Sequence, residues 1–182
     1  MLLTLAGTGL LGVVIGLVVL RGGFYDISAT TQHFPMVYSV LGEGMQYSVQ
    51  NHARDIEVPD KLGAPAQVLR GASVYQANCV QCHGGPGVAP STHGMSMQPA
   101  PGPLVDADVN WRTREIYWIT KNGIKMSGMP AWEYHLSDDD LWAVVAFVAA
   151  MPSMTPADYQ RMTRQQGVTR EAVETAAEGE RP

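Results

Sequence analysis

The sequence predicts an all-α fold, a small helical domain behind an N-terminal transmembrane helix, and three observations carry that prediction. Leu2 to Leu20 holds no charged side chain and only two threonines among its polar groups, enough for about 28 Å of helix, which crosses a bilayer. Beyond it, apolar residues recur at helical spacing between loops rich in glycine and proline, without the alternating β-branched runs of a sheet. The run Cys79-Val80-Gln81-Cys82-His83 sets two thiols and an imidazole on one helical turn.

The 182 residues divide into four parts: an anchor over 1–22, a juxtamembrane or partner-contacting segment over 23–62, a cofactor-binding domain over 63–154 and a polar tail over 155–182. A cleaved signal peptide is the rival for the first part. Its apolar run, however, exceeds the usual length and no basic segment precedes it, so a retained anchor is expected. Thr8, Gly9, Gly12 and Gly16 form a small-residue stripe that lets helices approach closely in lipid, although glycine is also simply common in membrane helices.

In the second part Met36, Val37, Val40, Leu41, Met45 and Val49 fall near helical spacing, while Gly42 and Gly44 weaken any continuous helix. His33 and His52 are expected to be ordinary surface or interface histidines, because a second C-x-x-C-H is absent. A helix from about Pro65 to the Cys79 region follows, with proline allowed in its first turn. A second covers about Arg112 to Lys121 and stops at Asn122-Gly123. The last starts at Ser137, where Ser-x-x-Asp140 approximates a capping box and three aspartates meet the positive end of the helix dipole. Leu141 to Met151 is apolar nearly all round, which signals burial; it is too short to cross a membrane. The tail is polar and mixed in charge, weakly helical or disordered by itself.

Two thiols three positions apart can both add to the vinyl groups of a porphyrin, and the adjoining imidazole then falls beneath the iron; one covalent haem c is therefore expected on Cys79, Cys82 and His83. Zinc is not expected, since two cysteines would have to recruit His83 and His93 at an unfamiliar spacing. A thioredoxin-like redox pair lacks its βαβ surroundings. A haem that carries electrons needs a second axial ligand, and a thioether raises the potential. Met129 is the candidate: it lies in Gly123-Ile-Lys-Met-Ser-Gly-Met-Pro-Ala-Trp132, where glycines and a proline favour an irregular loop. Met126 competes from the same loop, and Met95, Met97 or an open site remain.

CVQCHGGPG, KNGIKMSGMPAW and DDLWAVVAFVAAMP together resemble the class I cytochromes c, particularly the single-haem, membrane-anchored subunits of bacterial respiratory chains, over roughly Gly63 to Ser153. The resemblance implies that the methionine of the GMPAW-type segment, Met129, is the distal ligand. It places a proline carbonyl against the proximal imidazole, for which Pro103, before Leu104, is the matching position. It crosses the first and last helices of the domain at a glycine and an aromatic, here Gly71 and Tyr75 against Val144 and Phe147, and Tyr75 and Trp132 are expected in the haem pocket. It also implies attachment of the haem on the periplasmic side of a bacterial inner membrane, against the weak opposing vote of Arg21 under the positive-inside rule. FYDISATTQH is similar to the juxtamembrane part of membrane-tethered relatives.

With a net charge of −5 the chain offers nucleic acid no basic face. Arg112, Arg114, Lys121 and Lys125 either steer docking or are plain solvated surface. With the iron held on both sides, the domain is expected to move single electrons and not to catalyse by itself, as a subunit of a respiratory complex or a donor or acceptor to one. The alternatives are an open distal site that does catalysis or binds gas, and a structural subunit whose haem is silent.

Overall fold

The computed structural model describes residues 1–164; the remainder of the expected tail, 165–182, lies outside the described residues. Among the described residues the elements are helices, joined by loops with one isolated β-bridge, Gly85 to Val88, and no strand.

Helix α1 (Leu2–Arg21) has a mean hydropathy of 2.4 and buries none of its residues against the rest of the chain; it is the one helix among the described residues long and apolar enough to cross a membrane. Helix α2 (Pro35–Ala53) runs unbroken through Gly42 and Gly44, the two positions expected to weaken it. Each glycine costs about 1 kcal/mol of helix propensity, and docking of the far end offsets this. Val49 and Ala53 are buried, His52 lies against Trp118 with ring centroids 5.5 Å apart, and Arg114 Nη1 donates to the Arg54 carbonyl at 3.0 Å.

The domain that follows is organised around the crossing of α3 (Pro65–Asn78) and α8 (Asp138–Ala150). Gly71 sits at the crossing, where a Cβ would overlap the Ala143 carbonyl and approach the Phe147 Cβ at 2.8 Å, so only a glycine lets the two backbones meet. Tyr75 and Phe147 extend the contact, ring centroids 5.3 Å apart, and Val144 is buried beside them. Helix α8 starts as expected: Ser137 caps it by accepting from the Asp140 amide at 3.2 Å. Eight consecutive residues from Leu141 to Val148 are then buried.

Between these run three short helices, α4 (Val80–His83), α5 (Thr92–Met95) and α6 (Ala107–Asn110), and the longer α7 (Thr113–Asn122). Glu115 closes the start of α7 by accepting from the Arg112 amide at 2.8 Å, and Gly123, with φ 67°, ends it. Tyr117 of α7 stacks on Trp142 of α8 with centroids 4.0 Å apart.

The packed unit does not stop at Ser153. Residues 156–164 form a ninth helix, α9, capped by a reciprocal pair in which the Asp158 carboxylate accepts from the Thr155 amide and Thr155 Oγ1 from the Asp158 amide. Tyr159 of α9 is 1% exposed and belongs to the same core as Tyr75 and Phe147. The segment expected to be weakly ordered is thus held, as far as residue 164, by one buried aromatic.

Candidate haem site

Cys79 ends α3, and Cys82 and His83 lie on the single turn of α4, so the three side chains share about one turn of backbone. Both cysteines are free thiols. Burial first, then the neighbouring Cys82, pushes the Cys79 thiol up to about 12. That is opposite to the depressed pKa of a nucleophilic redox cysteine.

His83 is oriented by the main chain. Its Nδ1 lies 2.7 Å from the Gly102 carbonyl, which assigns the ring proton to Nδ1 and leaves Nε2 with its lone pair. Burial holds the imidazole below its ordinary pKa, opposed by that carbonyl, so the ring is neutral near pH 7. The Pro103 expectation is corrected by one residue: the acceptor is Gly102. The sequence marks the turn through its prolines but not which carbonyl faces inward. Gly102, with nothing within 4 Å of where its Cβ would be, is the unencumbered link between Pro101 and Pro103.

The turn after His83 is fixed from behind. Gly84 has φ 64°, and a Cβ there would overlap the Val88 carbonyl. Gly85-Pro86-Gly87-Val88 is a type II turn, with Gly87 at φ 72° and the Val88 amide donating to the Gly85 carbonyl at 2.8 Å. Tyr75 donates its hydroxyl to the Gly84 carbonyl at 2.8 Å. At 0% exposure Tyr75 is already covered by protein, so it supports the turn from the rear and leaves no face for a pocket wall. Tyr159 backs Gly85, and Pro156 backs Gly87: Cβ atoms at these glycines would come within 2.7 Å of them. Gln76 accepts the Tyr159 hydroxyl at 3.1 Å. Sequence reasoning did not find Gly102, Tyr159 or Pro156 in these roles, although Thr155-x-x-Asp158 with Pro156 at the first helical position signals a helix start.

The methionine loop is tied to this turn through α5. Ser91 donates its amide and its hydroxyl to the Gln81 carbonyl, both at 2.9 Å, and Gly94 lies so close to Cys82 that a Cβ would come within 2.8 Å of its Cα. Three residues on, the Met97 side chain packs on Gly128. The loop from Gly123 to Pro130 closes at its neck, where the Ile124 amide donates to the Met129 carbonyl at 3.2 Å. Met129 is half-buried and its amide donates to Ser127 Oγ at 3.1 Å. Met126 takes φ 61° and is 84% exposed, pointing its sulfur largely into solvent. Met95 is also exposed, and Trp132 is half-buried against the core with its edge toward His135.

Two thiols, a neutral imidazole with a free Nε2 and a nearby methionine loop form a donor set that fits a c-type haem. The all-α fold and this site define the class: a c-type cytochrome domain of the class I kind. More particularly, residues 66–148, somewhat under half of the chain, match the family model described as cytochrome C oxidase, cbb3-type, subunit III. No curated protein matches the chain.

Proposed function

We propose that this is a membrane-anchored monohaem cytochrome c that passes single electrons within, or to and from, a respiratory complex of the kind the matched family serves. In this reading residues 1–22 anchor the chain in a bacterial inner membrane, and residues 63–154 with α9 form the haem domain on its periplasmic side. Haem c, when bound, supplies one-electron chemistry by cycling its iron between the ferric and ferrous states. Cys79 and Cys82 hold it by thioether bonds, and His83 presents Nε2 to the metal while Nδ1 stays on Gly102. Met129 is the distal ligand, in preference to Met126, whose side chain faces solvent. The observation that carries the proposal is the His83 to Gly102 hydrogen bond on the turn that also bears both free thiols.

A competing reading, an open distal site, draws support from the way the methionine loop is closed by bonds among its own residues, which leaves the ligand free to lift away. The test takes the full chain made in cells that attach c-type haem. Haem that stays with the chain on a denaturing gel, at one per chain, and a reduced form that resists carbon monoxide, are expected. A chain without attached haem overturns the proposal; rapid stoichiometric carbon monoxide binding overturns the Met129 assignment and makes the open site the better reading.

A further inference from the structure

Helix α2 is docked at one end and bare at the other. The face that meets α7 through Val49 and His52 continues toward the N-terminus at helical spacing as Met45, Leu41, Tyr38 and Phe34, and of these Leu41, Tyr38 and Phe34 are half or more exposed. Met36, Val40 and Tyr47 lie exposed along its flank. The polar side chains gather on the remaining strip, formed by Ser39, Glu43, Gln46 and Gln50.

The start of this helix is also held beside the end of α1. The connection between them is closed by Tyr25, which hydrogen-bonds His33 Nδ1 at 2.6 Å, stacks on that ring and meets the Phe34 ring edge-on at a centroid distance of 5.9 Å. Asp26 rigidifies the same loop by accepting from the Ser28 amide and the Thr31 hydroxyl, both at 2.8 Å. If α1 spans a bilayer, as the proposed function holds, the start of α2 lies close to the depth at which α1 ends. That depth is the headgroup layer, where Phe24, Tyr25, Phe34 and Tyr38 have the aromatic character favoured at a membrane interface.

We infer that the first half of α2 lies in the headgroup layer of the membrane that α1 crosses, its apolar face in the acyl boundary and Ser39 and Glu43 toward water. The second half is fastened to α7 through Val49, Ala53, His52 and the Arg54 carbonyl, so α2 is a strut that fixes the height of the haem domain above the lipid. No lysine or arginine occurs between Arg21 and Arg54, and the contact is therefore apolar and insensitive to ionic strength.

The test uses the haem-loaded full chain in vesicles of phosphatidylcholine. Its two native cysteines are consumed by the haem, so a single introduced cysteine carries the nitroxide label. Tyr38→Cys and Leu41→Cys are expected to show an oxygen-to-nickel-chelate collision ratio several-fold above that of Glu43→Cys, unchanged by salt. Leu10→Cys, in the middle of α1, reports the span independently. A high ratio at 10 with water-like values at 38 and 41 overturns the inference and leaves the face to a protein partner. A water-like value at 10 overturns the membrane-span reading itself.

Discussion

Around His83, groups from four separate stretches of chain converge: the Gly102 carbonyl, the Tyr75 hydroxyl, the Phe147 ring behind it, and Tyr159 with Pro156. The loop that carries Met129 is closed mainly from within, by Ile124 to Met129, Ser127 to Ile124 and Met129 to Ser127, with Met97 as its visitor from outside. In the first arrangement several constraints from separate stretches of chain act on one short turn. The second depends on a few bonds of about 1 kcal/mol each, half open to water. The contrast teaches that the turn bearing His83 is fixed from several directions, whereas the loop bearing Met129 is held mostly by its own residues.

The largest effect is expected from removing the scaffold that both sides share. Gly71→Leu drives a side chain into the Ala143 carbonyl at the α3–α8 crossing, a loss above about 4 kcal/mol, and no haem-bearing chain should accumulate on a denaturing gel. Next, Tyr159→Ala leaves a cavity where a wholly buried ring stood and should lower unfolding free energy by about 3–4 kcal/mol in urea titrations. Tyr159→Phe, which loses only the bond to Gln76, should lower it by about 1 kcal/mol. Both variants should still resist carbon monoxide if the imidazole side is fixed from several directions; an unaltered stability in Tyr159→Ala would remove α9 from that side altogether.

Met129→Ala sharpens the other half of the comparison. It should open the reduced protein to carbon monoxide and lower its reduction potential, with a stability change of no more than about 2 kcal/mol, since its side chain is only half-buried. Met126→Gly should leave carbon monoxide resistance intact and stabilise by up to about 1 kcal/mol, because φ 61° is a conformation that glycine adopts freely. Carbon monoxide binding in the 126 variant and not in the 129 variant would exchange their roles.

The smallest effect lies at the start of α8. The bond from Arg70, at 2.7 Å, and then that from Ser137 hold the Asp140 carboxyl below its ordinary value of 3.8. A depressed carboxylate pKa contributes stability that is complete above that ordinary value and fades as pH falls through the lowered one. Asp140→Asn should thus cost under about 1 kcal/mol at neutral pH, Arg70 being half-exposed, and the stability gap should close as the pH falls below that ordinary value and through the lowered one.

Legibility followed the range of the forces involved. Helices α3, α7 and α8 announce themselves through Pro65, Asn122-Gly123 and Ser137, signals that act within a turn, and their bounds agree with expectation to within a residue or two. The continuity of α2 through Gly42 and Gly44 was not legible, because it depends on Val49, Ala53 and His52 meeting α7 some sixty positions later. Tyr159 was missed for the same reason: its partners, Gly85 and Gln76, lie far back in the chain. At the site itself, the thiol and imidazole spacing was plain, whereas the choice between Gly102 and Pro103 required the path of the backbone.

The group that faces His83 Nδ1 is an amide oxygen, and no codon change removes an amide oxygen. The electron richness of the imidazole is therefore insulated from point substitution at position 102, and only rerouting the segment can alter it. With a proline on either side, each fixing φ near −65°, rerouting meets a stiff hinge. Insertions or deletions between Pro101 and Leu104 are thus the sequence changes with the most leverage over how the His83 ring is held.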